Sequence, residues 1–461
     1  MSIDRNLQGA IAVTRLGLGA RPGEIAAAAS DPRGWAAAQV REAGADDPSS
    51  HAAATARRFG ELRNFQAQRR DARQAGEARD AAVKMAGRAL RDEVADDFLD
   101  RIRLAAATDA SFRERWTLFW ANHFTVSAAK AAAAPLVGPF EREAVRPNVF
   151  GRFEDMLAAC SAHPAMLIYL DQARSIGPDS QAGTRQRAAA KPAGLNENLA
   201  REIMELHTVG IDGGYTQADV TEFARAMTGW SIGQPNDPQG RAGEFVFRPR
   251  THEPGGREIL GKRYDQDGQS QARAVLRDLA AHPRTARHLA VKIARHFVAD
   301  SPPDALVARL QRAWTDSDGR LDVVARTLIA APETWDPGAA KFKTPYEFLV
   351  SSWRAAGSAP DTTSAVAPIL AAMGQKPFGA PSPKGWPEET AAWCAPDALV
   401  KRMDWSETFA ANAIADRDPV QLAQDALGAR LTPLAAKTIA RAETRAEGLS
   451  ILLMSPEFQR R

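Results

Sequence analysis

The stretch "NENLAREIMELHTVGIDGGYTQADVTEFARAMTGW", residues 196–230, packs an unusual density of Asn, Glu, Arg, Asp and His into a short span. Asn198, Glu202 and Glu205 fall at i, i+4 and i+7, so a helix lines them up along one stripe. Glutamates on the margin of a core face are partly desolvated and suited to general-base or metal-ligand work, with arginine available for an anionic group. On that chemistry Arg201, Glu202, Glu205, His207, Glu222 and Arg225 are the catalytic candidates. Asn196, Asn198, Asp219 and Trp230, with His252 in the later "RPRTHEPGG" loop, are the substrate-binding candidates. Glu202, His207 and His252 form a candidate set of ligands for a divalent metal, since helical bundles build such sites from inward Glu and His. The spacing matches neither HExxH nor the Glu-x-x-His of di-iron proteins. The competing reading is structural: Arg201 reaches Glu197 and Glu205 at i±4, Glu222 reaches Arg225 at i+3, and the carboxylates are neutralised in an ion-pair network. Both readings stay open on the residues alone.

Two helices must carry these groups. Asn196 suits an N-cap, and Leu199, Ile203 and Leu206 define the buried face, which leaves His207 on its flank. Gly210 suits the C-cap, and Asp212-Gly213-Gly214 is a turn signal. Thr216 with Asp219 spells a capping box, with Asp in the place of Glu or Gln. Val220, Phe223, Ala224 and Met227 make the second apolar face. Upstream, Trp116, Phe119, Trp120 and His123 share one aromatic helix face. His123 is there either a hydrogen-bonded core histidine or a metal or haem ligand. His163 and His282 each precede proline and are read as helix caps. Residues 175–194 read as a loop and lid candidate beside the polar hairpin.

The chain has 461 residues and a net charge of +3, from 59 basic and 56 acidic groups, which is no footprint for nucleic acid. No apolar run is long enough to span a membrane. Cys160 and Cys394 have no CxxC partner, and without CxxCH there is no covalent haem. The N-terminus shows no signal peptide, so a cytoplasmic location is expected. Periodicity along the chain predicts a mainly α fold, a multi-helical single body with a small β-hairpin insert. A helical core is expected over 1–357 with the insert near 240–265, and a loop-rich and helical extension of the same body over 358–461.

The 196–230 stretch resembles the hallmark of a bacterial family, the domain of unknown function 1800 (DUF1800). "RLGLGARPGE", "RERWTLFWANHF", "HPAMLIYLD", "HPRTARHLAVKIARHFV" and "KFKTPYEFLVSSWRA" agree with it, so the resemblance covers nearly the whole chain. Glu253 and Arg257 stand where the family pattern has Asp and Lys. The resemblance carries no settled activity. It implies a bacterial protein whose gene neighbours one for a sulfatase-like protein with a twin-arginine signal. Two functions follow as expectations: an enzyme, hydrolase-type or metal-dependent, with its site on the hairpin; or a non-catalytic partner of the sulfatase-like protein, co-exported with it to the periplasm.

Overall fold

The structure, a computed structural model, describes residues 4–49, 53–74, 81–189, 194–338, 340–413 and 417–461. Twenty-three α-helices dominate the described residues, and the fold is mainly α as the periodicity predicts. No helix among them is long and apolar enough to cross a membrane. Cys160 and Cys394 are both free thiols.

The expected β insert is two antiparallel ribbons. β1 (Trp230–Ile232) pairs with β2 (Phe245–Phe247), and β3 (Arg257–Ile259) pairs with β4 (Lys262–Tyr264). The insert thus begins at Trp230, earlier than expected, because a three-residue strand is too short to display a period of two. The 175–194 segment also differs from expectation. It contains a helix, Gln181–Ala188, started by the Ser180 hydroxyl accepting from Gly183 N. Gly177 N donates to Thr251 O at 2.9 Å and Asp179 N to Glu253 Oε2 at 2.7 Å, which ties this segment to the insert. The helix's polar sequence offers no apolar stripe to announce it. Residues 190–193 of that lid candidate lie outside the described residues.

Two hydrophobic cores form. The first surrounds the Ser111–His123 helix, which is buried nearly all round, as a helix at the centre of a large core must be. Trp116, Phe119 and Trp120 lie against Phe150, Phe153 and Phe297, and Trp116 Nε1 donates to Val149 O at 2.7 Å. The second core gathers Phe98 and Ile102 of the Ala81–Ala107 helix with the Pro345–Ala355, Pro396–Ala413 and Arg445–Met454 helices. Phe378 packs against both cores.

Helix starts set where the charged groups point. His163 Nδ1 accepts from Ala165 N and His282 Nδ1 from Arg284 N, so both histidines cap helices, as their place before proline implies. Thr344 and Glu347 close a capping box over Pro345. That box turns the Glu347 carboxylate inward, where it meets Arg115 and Arg461.

Candidate functional site

The 196–230 hairpin is a capped and paired structure. Asn196 Oδ1 accepts from Asn198 N at 2.9 Å and its own N donates to Ser175 Oγ at 3.0 Å, while Asn198 is exposed. Arg201 bridges Glu197, at 3.2 Å, and Glu205, at 3.3 Å. Glu222 lies between Arg225, at 2.5 Å, and Arg257, at 3.3 Å. Asp219 completes the expected capping box with Thr216 and accepts from Leu260 N at 2.6 Å. Desolvation acts to raise its pKa, and the hydrogen bonds from Thr216 and Leu260 outweigh it and hold the carboxyl below its ordinary value. Trp230 is buried in β1, edge-on to Phe245.

Glu202 stands apart. It is half-buried, and no hydrogen bond or ion pair to it is found among the described residues. Burial and then the Glu205 charge push its carboxyl up, while Arg201 pulls against them. Burial, with the Glu202 charge added, in turn lifts the nearby Tyr169 phenol to about 12.

His207 lies on the other side of the wall. The helix Asn198–Glu202 passes into a π turn, Ile203–His207, which holds one residue more per turn. The extra residue rotates the register, so His207 is inside at 1% exposure while Leu206 is only half-buried. Its ring lies 5.0 Å from that of Phe124 and 5.7 Å from that of His123, and among the described residues neither ring nitrogen has a partner. Burial first, then the charges of Lys292 and His288, hold it down at about 3. His123 is the hydrogen-bonded core histidine: Nε2 meets His207 O at 3.2 Å, and Lys292 Nζ meets Nδ1 at 3.0 Å.

His252 is held elsewhere. Its Nδ1 donates to Thr228 O at 2.9 Å, and its ring packs edge-on to Phe247. Glu202, His207 and His252 are therefore not brought together as a metal centre. Glu202 sits on an accessible edge, His207 faces the core, and His252 is tied to the insert. Among the described residues no group of three or more His, Cys, Asp or Glu could hold a metal ion.

A cleft lies at the junction of the two cores, where binding sites commonly form. The Ser111–His123 helix gives it Arg115 and Asn122, the Pro283–Phe297 helix gives His296, and the Pro345–Ala355 helix gives Tyr346 and Glu347. Trp386 and Glu388 come from a strap laid across the Ser111–His123 helix. Asn122 clamps that strap, accepting from Trp386 N at 2.7 Å and donating to Trp386 O at 3.0 Å. Gly385, at φ +83°, allows the approach, because a Cβ there would come within 2.4 Å of Asn122 O.

Two ionic arrangements line one end. Glu347 accepts from Arg115 at 2.5 Å, from Arg461 Nε at 3.1 Å and from Thr344 N at 2.9 Å. Burial opposes its charge, but Arg461 and Arg115 win and hold the carboxyl well below the usual range. The Arg115 guanidinium is lowered to about 9, first by burial and then by Arg461, and its Nε has no partner among the described residues. The second arrangement is a dyad: Glu388 Oε2 lies 2.8 Å from His296 Nδ1. A carboxylate only accepts, so Nδ1 carries the proton and Nε2 keeps its lone pair, buried and without a partner among the described residues. Burial lowers His296 to about 4, with Glu388 opposing and Arg115 and Arg461 adding to the fall. For Glu388, burial is outweighed by His296, Lys341 and Arg461, and its carboxyl sits at about 2.

None of the sequence-chosen site residues lines this cleft. One signal for His296 existed: it shares the apolar stripe of Leu289, Ile293 and Phe297, so it had to be buried. Glu388, in a loop, gave none.

Fold and cleft together define a large helical protein with a carboxylate–imidazole pair buried between two cores. The chain belongs to the family described as Protein of unknown function (DUF1800), whose model matches residues 11–460. No curated protein and no solved structure matches it. Four of the segments that carry the family resemblance meet at the cleft: Leu18, Arg115, His296 and Glu347 come one from each.

Proposed function

We propose that the chain is a hydrolase-type acid–base enzyme that works in the cleft between the two cores, with His296 as general base. The observation that carries this reading is the Glu388 carboxylate on His296 Nδ1 at 2.8 Å, with Nε2 buried and, among the described residues, unpartnered in a side chain that lines the cavity. A carboxylate in this position fixes the tautomer and stabilises the imidazolium that forms. A water at Nε2 gives that nitrogen a proton while its oxygen attacks an electrophilic carbon. The bond to the leaving group then breaks, and the imidazolium returns the proton to it. Arg115, with an unpartnered Nε, supplies a donor for the developing oxyanion.

The test is turnover of a panel of p-nitrophenyl acetate, butyrate, phosphate and sulfate by the wild type, His296→Ala and Glu388→Gln. The wild type is expected to hydrolyse an acyl ester, and His296→Ala to lose about 10²–10⁴-fold. Full activity in folded His296→Ala sinks the assignment.

One observation favours a second reading, a site on the hairpin: Glu202 is half-buried, raised in pKa and unpaired. Under it, Glu202→Gln abolishes turnover and His296→Ala does not. A metal-dependent form of it requires stoichiometric metal in elemental analysis of the purified protein. If neither variant alters any turnover, the chain is better read as a non-catalytic companion of a sulfatase-like protein. That companion is cytoplasmic or carried out with its partner, and the two proteins should then co-purify.

A further inference from the structure

The cleft has a second polar pole. Tyr346 is 8% exposed and its hydroxyl is buried without a partner among the described residues. The charges that act on it belong to Arg101, Glu114, Glu141 and Arg146. Those that act on His296 belong to Glu388, Arg115 and Arg461, so the two poles sit in different electrostatic surroundings. Arg101 lies over the rings of Tyr346 and Phe378, at 5.3 Å from each centroid. It is 3.4 Å from Glu141 Oε2, yet its Nε makes no hydrogen bond among the described residues. Leu18, Phe98, Leu118, Leu370 and Phe378 supply apolar walls to the same cavity. Phe98 stands edge-on to both Tyr346 and Phe378.

A ligand that satisfies this lining has an oxygen acceptor for Tyr346 and Arg101 and a hydrocarbon body for the apolar walls. Charge limits the acceptor. Arg101 favours an anion, but Glu141 lines the same pole and repels a doubly charged one. Size limits the body. The cavity volume is about 120 Å³, room for about four waters at about 30 Å³ each.

We infer that the cleft takes a small aromatic or branched monocarboxylate carrying a hydrolysable acyl bond, with the carboxylate at Tyr346 and Arg101 and the acyl bond towards His296. This rests on the cleft being the working site. Tyr346 is thus a binding residue remote from the bond that breaks.

Binding of benzoate, phenylacetate, acetate, benzamide and inorganic phosphate to the full chain, by isothermal titration, tests it. Benzoate or phenylacetate should bind at least tenfold tighter than acetate, which lacks the hydrocarbon body, and than benzamide, which lacks the charge. Phosphate should bind no tighter than acetate. Tyr346→Phe should weaken benzoate several-fold, and in turnover raise KM with kcat unchanged. Its unliganded stability should not fall, because the hydroxyl has no protein partner to lose. Failure of both aromatic acids to bind, tighter binding of phosphate, or unchanged affinity in Tyr346→Phe overturns the inference. Loss of ester turnover in His296→Ala without carboxylate binding would leave the acid–base site standing and this ligand class wrong. Carboxylate binding with full turnover in His296→Ala would do the reverse.

Discussion

The polar hairpin and the cleft use the same residue types in opposite ways. On the hairpin, ion pairs join residues three or four apart on one helix: Arg201 with Glu197 and Glu205, Glu222 with Arg225. Their side chains are a quarter to a third exposed, where water screens a pair and its geometry costs side-chain entropy. In the cleft the partners are far apart in sequence, Arg115 with Glu347 and His296 with Glu388, and both pairs are largely removed from water. There the pairing is incomplete, and Arg115 Nε, His296 Nε2 and Tyr346 OH are left over. A dense local pattern of charge is what a helix needs to satisfy itself. The hairpin leaves Arg225 Nε and the Glu202 carboxylate over as well, but in the cleft the leftover atoms sit where long-range packing brings the charges together.

The sharpest break between the regions is Glu347→Ala. It strands the Arg115 and Arg461 guanidiniums, both about 98–99% buried, and loss of one partner of a buried pair costs about 3–5 kcal/mol. Urea unfolding measures it. A loss below 1 kcal/mol would mean the cleft charges are as weakly held as those of the hairpin.

Next in size is the pH dependence. His207, His288 and His296 sit at about 3, about 4 and about 4 in the fold, against an ordinary 6.5. Below pH 6.5 the unfolded chain binds protons that the folded chain refuses, so stability falls as pH drops from about 6.5 towards 4. Glu388, lowered from 4.5 to about 2, and Glu347, lowered further, add a loss between those values. His207→Leu removes an unpartnered imidazole from the core. It should stabilise the chain by about 1–3 kcal/mol at pH 5, flatten the slope between pH 3 and 6.5, and leave ester turnover intact. Lost turnover with normal folding would return His207 to the active site.

Much of the architecture was legible in the sequence because its causes are local. The capping box at Thr216, the turn after Gly210, the histidine caps at His163 and His282 and the aromatic stripe of the Ser111–His123 helix each follow from residues within one or two turns. The π turn at Ile203–His207 was not legible, because nothing in its residues breaks the 3.6 period, and it moved His207 from flank to interior. The ribbon at Trp230 was too short to show alternation. The Glu388–His296 pair spans 92 residues and joins a helix to an irregular strap, so no window of sequence contains both. Arg461 reaching Glu347 and His296 O is the same case at longer range.

Arg201→Ala should produce the smallest effect, and it bears most directly on the two regions. Arg201 holds Glu197 and Glu205, but Glu197 keeps Thr221 at 2.7 Å and Gln217 at 2.8 Å, and Glu205 keeps Tyr215. Each carboxylate therefore retains a donor after the substitution. Two partly exposed i,i+4 pairs are together worth about 0.5–1 kcal/mol, and that is the expected fall in unfolding free energy. The loss should shrink in high salt, which screens such pairs. Glu202 would also feel the change. Arg201 restrains its upward-shifted carboxyl, so its pKa should climb further in the variant, readable by NMR titration. If turnover is unchanged while that pKa moves, the Glu202 carboxyl has no part in the chemistry and the hairpin serves as scaffold. If turnover shifts along pH with the Glu202 titration, the hairpin is a working site and the contrast with the cleft collapses.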